Sequence, residues 1–132
     1  MPIFRPPPYK VRRVLLAKDL KDKLDWGQVA HNIPEHWKKT KGKGILAGVL
    51  DTGWDQGHPD LQGQVKHEKD FTRSPDGPKD NQGHGTHVLG IYAAKADNVG
   101  TIGGCHEAEF AVGKALGDDG SGDDRGVANC IY

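Results

Sequence analysis

Ile45-Leu46-Ala47-Gly48-Val49-Leu50 is an unbroken apolar run that stops at Asp51. It is of strand length, and apolar side chains at every position, rather than at alternate ones, are the pattern of a strand buried on both faces of a parallel sheet. The rest of the chain supplies elements to build around it. Val65 to Phe71 alternates weakly and reads as a second, shorter strand, and Glu109 to Leu116 as another. Val88, Leu89, Ile91 and Tyr92 recur at helical spacing, so a helix is expected from His84 to about Lys95. Arg125 to Tyr132 reads as the opening of a further helix, and Gly117 to Gly122 as a flexible acidic loop. Pro34 starts a short helical turn with Glu35 near its positive end and Trp37 as its anchor. Before it, Val11 to Leu24 has the spacing of a short amphipathic helix, and Pro6-Pro7-Pro8 is extended and polyproline-like. Strands separated by helical stretches make this an α/β chain.

Composition limits the size of that fold. The 132 residues accommodate one domain, and Leu, Ile, Val and Phe together number only 27, so the aliphatic core is thin. Glycine, at 19 residues, is about twice as frequent as usual, which marks a loop-rich or an incomplete domain. The formal net charge is zero, which argues against a nucleic-acid binder or a disordered polyelectrolyte. That zero hides an asymmetry: residues 1–43 carry 11 Lys/Arg against 4 Asp/Glu, while residues 44–132 carry 7 against 14. A basic lead-in therefore precedes an acidic body. No apolar run approaches the ~20 residues that span a bilayer, and the prolines and arginines near the start argue against a secretory leader. Cys105 and Cys130 form no metal-type pair and are too few for a disulfide scaffold, so buried free thiols of a reducing cytoplasm are expected.

Two places carry chemistry. Asp51 stands at the carboxyl end of a presumed parallel strand, where open α/β sheets place functional groups, although a turn aspartate accepting backbone N–H bonds has the same signature. Gly83-His84-Gly85-Thr86-His87 then puts a histidine in the first turn of a helix, between glycines that let another backbone or a substrate come close. The helix dipole disfavours imidazolium at His84 and a nearby carboxylate favours it, which leaves a neutral ring able to accept a proton. His87 is expected to be a packed core histidine, and no glutamate joins His84 and His87 in metalloprotease spacing. Nothing in the pattern selects Asp55 or Asp80.

Gly48-Val49-Leu50-Asp51-Thr52-Gly53, His58-Pro59-Asp60-Leu61 and the His84 segment, in that order, resemble the subtilisin-like serine proteases. The resemblance covers the chain from about Pro34 onward. It implies a three-layer α/β fold with a mostly parallel sheet, present only in part, and a polypeptide substrate. It also implies that Asp51 orients His84, and that His84 deprotonates a serine and later protonates the leaving amine. The serine of such enzymes lies in a Gly-Thr-Ser-Met-Ala type motif far downstream. Here the only serines are Ser74 and Ser121, neither in that motif, so the chain alone is expected to be inactive. By the same resemblance Gly120-Ser121-Gly122 matches the strand edge that pairs with a substrate backbone, and Leu116 a wall of that cleft. Asp123-Asp124 departs from the aromatic residue often found next. A structural Ca²⁺ is implied too, with Asp60 and Asp97 giving carboxylate oxygens and Lys95, Val99 and Thr101 backbone carbonyls. Pro34-Glu35-His36-Trp37 and Lys41-Gly42-Lys43-Gly44-Ile45 are similar to the entry of the intracellular subtilisins. Those enzymes carry a short inhibitory extension, of which Pro7-Pro8-Tyr9 is a loose counterpart, so residues 1–33 are read as a prosegment-like extension and residues 34–132 as the peptidase part.

Two other readings compete. Apolar-apolar-Asp51-Thr52-Gly53 is also an aspartic-protease signature, but that class needs an all-β fold and leaves His84 without a role. Alternatively the chain is a pseudoprotease or truncated product that binds peptides without cleaving them.

Overall fold

The computed structural model describes residues 22–132. The polyproline stretch, Pro7-Pro8-Tyr9 and most of the Val11–Leu24 segment lie outside the described residues. Lys23, at that segment's end, is extended rather than helical and bridges to Thr101 in parallel. Two short helices follow: α1, Trp26–Ala30, and α2, Ile33–His36. The sequence pattern did not select α1, yet it carries a helix start signal, because the Asp25 side chain accepts from the Gly27 N–H at its N-cap. Trp37 anchors the end of α2 by donating its indole N–H to the Gly104 carbonyl at 2.8 Å.

The sheet has three parallel strands in the order β1-β3-β2: β1 is Leu46–Asp51, β2 Val65–Asp70 and β3 Glu109–Lys114. The helices α3, His84–Ala93, and α4, Asp124–Ile131, complete the described elements, with a 3₁₀ turn at Pro59–Leu61. In the β1/β3 register Ala47 pairs Phe110, Val49 pairs Val112 and Asp51 pairs Lys114. Side chains alternate along a strand, so these residues share one face. That face holds the core, where Phe110 and Val112 pack with Leu61, Trp54 and the α3 residues Leu89 and Ala93, and Ala47 and Val49 pack at its margin. On the opposite face Cys130 of α4 lies so close to Gly113 that a Cβ there would meet its sulfur. Helices on both faces of a parallel sheet are the three-layer α/β arrangement in part.

Three expectations need correction. The apolar run is not buried on both faces among the described residues: Leu46 is 55% and Leu50 37% exposed. β1 is an edge strand, and α4 meets the other face at β3. A cavity of about 420 Å³ runs along this edge between Leu50, Ile45 and the α3 residues Val88 and Tyr92. His87 is exposed, because α3 turns Gly85, Leu89 and Ala93 inward, an i, i+4, i+8 stripe that leaves position 87 outside. Cys105 is exposed as well, in the loop after α3, and Cys130 is half-buried. Burial raises the Cys130 thiol above its ordinary pKa, with Asp70 adding to the effect.

Candidate active site

The alternation that puts Ala47 and Val49 on the α3 side of β1 puts Asp51 there too, at the strand's last position. Helix α3 begins at His84, so the histidine projects from its first turn toward the strand end. The two meet: His84 Nδ1 lies 2.8 Å from Asp51 Oδ1. Asp51 is 7% exposed, and the same oxygen accepts the Thr52 N–H at 2.7 Å, which fixes the carboxylate against its own backbone. An ionised carboxylate only accepts, so Nδ1 carries the proton and, in the neutral ring, Nε2 is the basic nitrogen.

Backbone packing makes this meeting possible. Gly53 has φ of 100°, and a Cβ there would collide with the Pro78 carbonyl. A Cβ on Gly85 would collide with the Gly53 carbonyl and approach Thr52 Oγ1 at 3.1 Å. Strand end and helix start therefore touch backbone to backbone, and only glycine fits at both places. Gly90 has open space where its Cβ would be, so its glycine is not explained by packing among the described residues.

A second polar centre lies on the neighbouring strand, opposite Asp51. Lys114 is completely buried, and its ammonium donates to the carbonyls of Thr52 and Lys79 and to Asp118, at 2.7, 2.8 and 2.8 Å. These three acceptors satisfy an otherwise costly buried charge. The bond from Lys114 holds the Asp118 carboxyl below the ordinary carboxylate pKa. Sequence reading missed Lys114 because nothing in an apolar-flanked lysine signals which carbonyls will converge on it.

The residues expected along a substrate cleft follow directly. Leu116 is 4% exposed and its N–H donates to the Asp51 carbonyl, so this stretch is tied to the strand that carries Asp51. Residues 117–121 close into a turn through Gly117 N–H to the Ser121 carbonyl and Gly120 N–H to the Gly117 carbonyl, both 2.8 Å. Gly120 has φ of 75° and is buried, and Gly122 packs against Leu116 Cδ2 and the Ala115 carbonyl. The Ser121 hydroxyl donates to Asp119, and that of Ser74 to Asp118. Of the Asp123-Asp124 pair, Asp123 caps α4 by accepting the Gly126 N–H at 2.7 Å.

Of the residues named for Ca²⁺, Lys95 and Thr101 are bonded to Asp60. Its carboxylate is 6% exposed and accepts one long bond, from Thr101 N–H at 3.4 Å, while its carbonyl accepts from Lys95 N–H. The loop 95–101 wraps so tightly that a Cβ on Gly100 would stand 2.5 Å from Asp60 Oδ2. Asp97 is exposed and accepts the Val99 N–H. One signal was not visible in the sequence: Asp22 Oδ1 is buried with no hydrogen-bond partner among the described residues, one residue before the Lys23 bridge to Thr101. No group of three His, Cys, Asp or Glu side chains gathers as a metal cluster among the described residues, so carbonyl oxygens would have to supply much of any coordination.

The profile of the subtilase family of peptidases matches residues 42–132, the stretch that holds β1, α3 and the Asp51–His84 contact. The chain belongs to the subtilase family. Relatives agree with that assignment. The subtilase chain is 44% identical over 104 residues to the major intracellular serine protease of Bacillus subtilis, covering 74% of this chain and 33% of the relative. It is 39% identical over 103 residues to an intracellular serine protease of Paenibacillus polymyxa, covering 75% and 32%. Thermitase of Thermoactinomyces vulgaris is 37% identical over 99 residues, covering 74% and 36%. The chain thus spans about a third of the length of these curated relatives. No helix among the described residues is long and apolar enough to cross a membrane.

Proposed function

We propose that this chain contributes two of the three catalytic groups of a subtilisin-type serine endopeptidase, with Asp51 as the orienting carboxylate and His84 as the general base. The observation that carries the reading is the 2.8 Å bond from His84 Nδ1 to Asp51, at the meeting of a parallel strand end and a helix start. Asp51 holds the tautomer whose Nε2 accepts a proton and stabilises the imidazolium that results. A serine hydroxyl set against Nε2 would lose its proton to His84 as it attacks a peptide carbonyl. His84 would then return that proton to the leaving amine. Ser74 and Ser121 both donate to aspartates rather than to His84, and neither lies in a Gly-Thr-Ser type motif, so this reading takes its nucleophile from outside these 132 residues. The chain alone therefore lacks peptidase activity, and its own part is orientation and proton transfer. Leu116, Gly120, Ser121 and Gly122 form the edge presented to a polypeptide substrate, which Lys114 and the Leu116 N–H hold against the catalytic strand.

A structural Ca²⁺ belongs to the same reading. The buried, under-bonded Asp60 carboxylate and the orphaned Asp22 Oδ1 suit a hard cation. Asp60 and Asp97 would offer carboxylate oxygens, and Lys95, Val99 and Thr101 their carbonyls. Bound there, the ion would supply positive charge that neutralises these acids and holds the loop. The relatives that are named intracellular support a cytoplasmic setting, and the basic residues 1–33 are read as an inhibitory extension over the acidic body.

The test is complementation. The 132-residue chain is joined to the segment that follows the matched region in the Bacillus subtilis relative, and both chains are treated with a fluorophosphonate probe and a peptide substrate. The fusion is expected to be labelled and to cleave, and the 132-residue chain to do neither. Labelling of the short chain, or an inert but folded fusion, contradicts the proposal.

A further inference from the structure

Asp80 had no role in the sequence, and none of the steps above uses it. It lies in the loop before α3, where its backbone is pinned to the exit of β1. Trp54 N–H donates to the Pro78 carbonyl, and Asp80 N–H to the Trp54 carbonyl at 3.1 Å. Its carboxylate collects five donors. Oδ1 accepts from Thr52 Oγ1 at 2.9 Å and from the Gln82 and Gly83 N–H groups at 3.1 and 2.7 Å. Oδ2 accepts from the Thr86 N–H and hydroxyl at 2.8 and 2.6 Å. The carboxylate thus caps the first turn of α3, where a negative charge also meets the positive end of the helix.

The direction of these bonds matters as much as their number. A carboxylate accepts and never donates, so both threonine hydroxyls must point their protons at Asp80. Each then has its lone pairs available on the other side. Thr52 Oγ1 accepts the Gly85 N–H at 2.8 Å, and Thr86 Oγ1 accepts the Asp55 N–H at 2.9 Å. Thr52 follows Asp51 directly, and Gly85 follows His84. One carboxylate therefore organises the two residues that flank the catalytic pair, and gives the threonines of both motifs a shared purpose.

We propose that Asp80 is a positioning residue of the active site, which sets His84 against Asp51 through Thr52 and the first turn of α3. This rests on the catalytic reading of that pair given above. An amide is a poor replacement. In either orientation Asp80→Asn turns an NH₂ group toward at least two existing donors, Thr86 N–H and hydroxyl on one side or the Thr52, Gln82 and Gly83 groups on the other.

The test uses the 132-residue chain with ¹⁵N-labelled histidine, and reads the low-field Nδ1–H resonance of His84 and its exchange with solvent. The resonance is assigned by its loss in His84→Ala. In the parent chain it should be present and should disappear in Asp51→Asn; its absence from the parent would overturn the catalytic pairing itself. With the resonance in hand, Asp80→Asn and Asp80→Ala should abolish it or make it exchange about tenfold faster or more, as expected for loss of charge-assisted bonds. Thr86→Ser, which keeps the hydroxyl, should preserve it. Leu61→Ala, which weakens the core without touching this network, should leave it in place. Folded Asp80 variants that keep the parent resonance and exchange rate overturn the proposal while leaving the Asp51–His84 pair standing. Should both Asp80 variants fail to fold, Thr86→Val decides: faster exchange supports the positioning role, and an unchanged rate overturns it.

Discussion

Two regions reach opposite states of satisfaction. At the junction of β1 and α3 the residues around the Asp51–His84 pair are spoken for: Asp51 by Thr52 N–H and His84, Thr52 by Asp80, Gly85 and Lys114, and Asp80 by five donors. At the Asp60 loop the described residues supply too little, with one 3.4 Å bond to the buried carboxylate, and Asp22, next to the Lys23 bridge to that loop, has a buried oxygen with no partner among them. Buried polar groups without partners are costly, so the two regions differ in what completes them. The junction is finished by the chain's own groups. The Asp60 loop is not finished by the described residues, and Ca²⁺ is our proposal for what completes it.

The largest effect should come from breaking the junction sterically. Gly85→Ala forces a methyl group into the Gly53 carbonyl, and unfolding experiments should show a loss of about 3 kcal/mol, at the upper end for overpacking because both sides are backbone. An equal change at Gly90, where there is open space, should be near neutral or slightly stabilising, since alanine favours helix. Calcium is next. At a hundredfold excess over its Kd the ion should stabilise the chain by about 2.7 kcal/mol, seen as a rise in Tm that a chelator reverses and Asp60→Ala removes. A Tm indifferent to calcium would leave Asp60 and Asp22 without the completion assigned to them.

Lys114→Met tests the link between the junction and the Asp118 turn. It removes the charge but strands two carbonyls and Asp118, so a cost of about 2 kcal/mol is expected, moderated because Asp118 is reached by solvent. The smallest effect concerns pH. The Lys114 bond lowers the Asp118 pKa in the folded state, so this contribution is complete above the ordinary carboxylate value of about 4. It fades as the pH falls through the folded-state value. The acid limb of the stability curve should therefore flatten in Lys114→Met.

What the sequence made legible divides along the same lines. The three strands, α3 and α4 follow from local pattern, whereas the roles offered to Asp51 and His84 came with the resemblance of the motifs that hold them. Asp80 and Lys114 were illegible because the partners that tie them to the end of β1 are distant in sequence. Thr52 lies 28 residues from Asp80, and Lys114 lies 62 from the Thr52 carbonyl. The burial of Ile45–Leu50 was overestimated, since periodicity describes what a strand can cover and not which neighbours are present. His87 was misplaced because the inward stripe of α3 is set by Gly85, whose lack of a side chain gives no apolar signal.

The measurement that bears most directly on the central claim is kcat/KM of the complemented enzyme with Asp51→Asn. If Asp51 fixes the His84 tautomer, activity should fall about 10⁴-fold with little change in KM, the size expected when an orienting carboxylate becomes an amide. An Asp51→Asn enzyme that cleaves as fast as the parent would show that the Asp51–His84 bond does not serve catalysis.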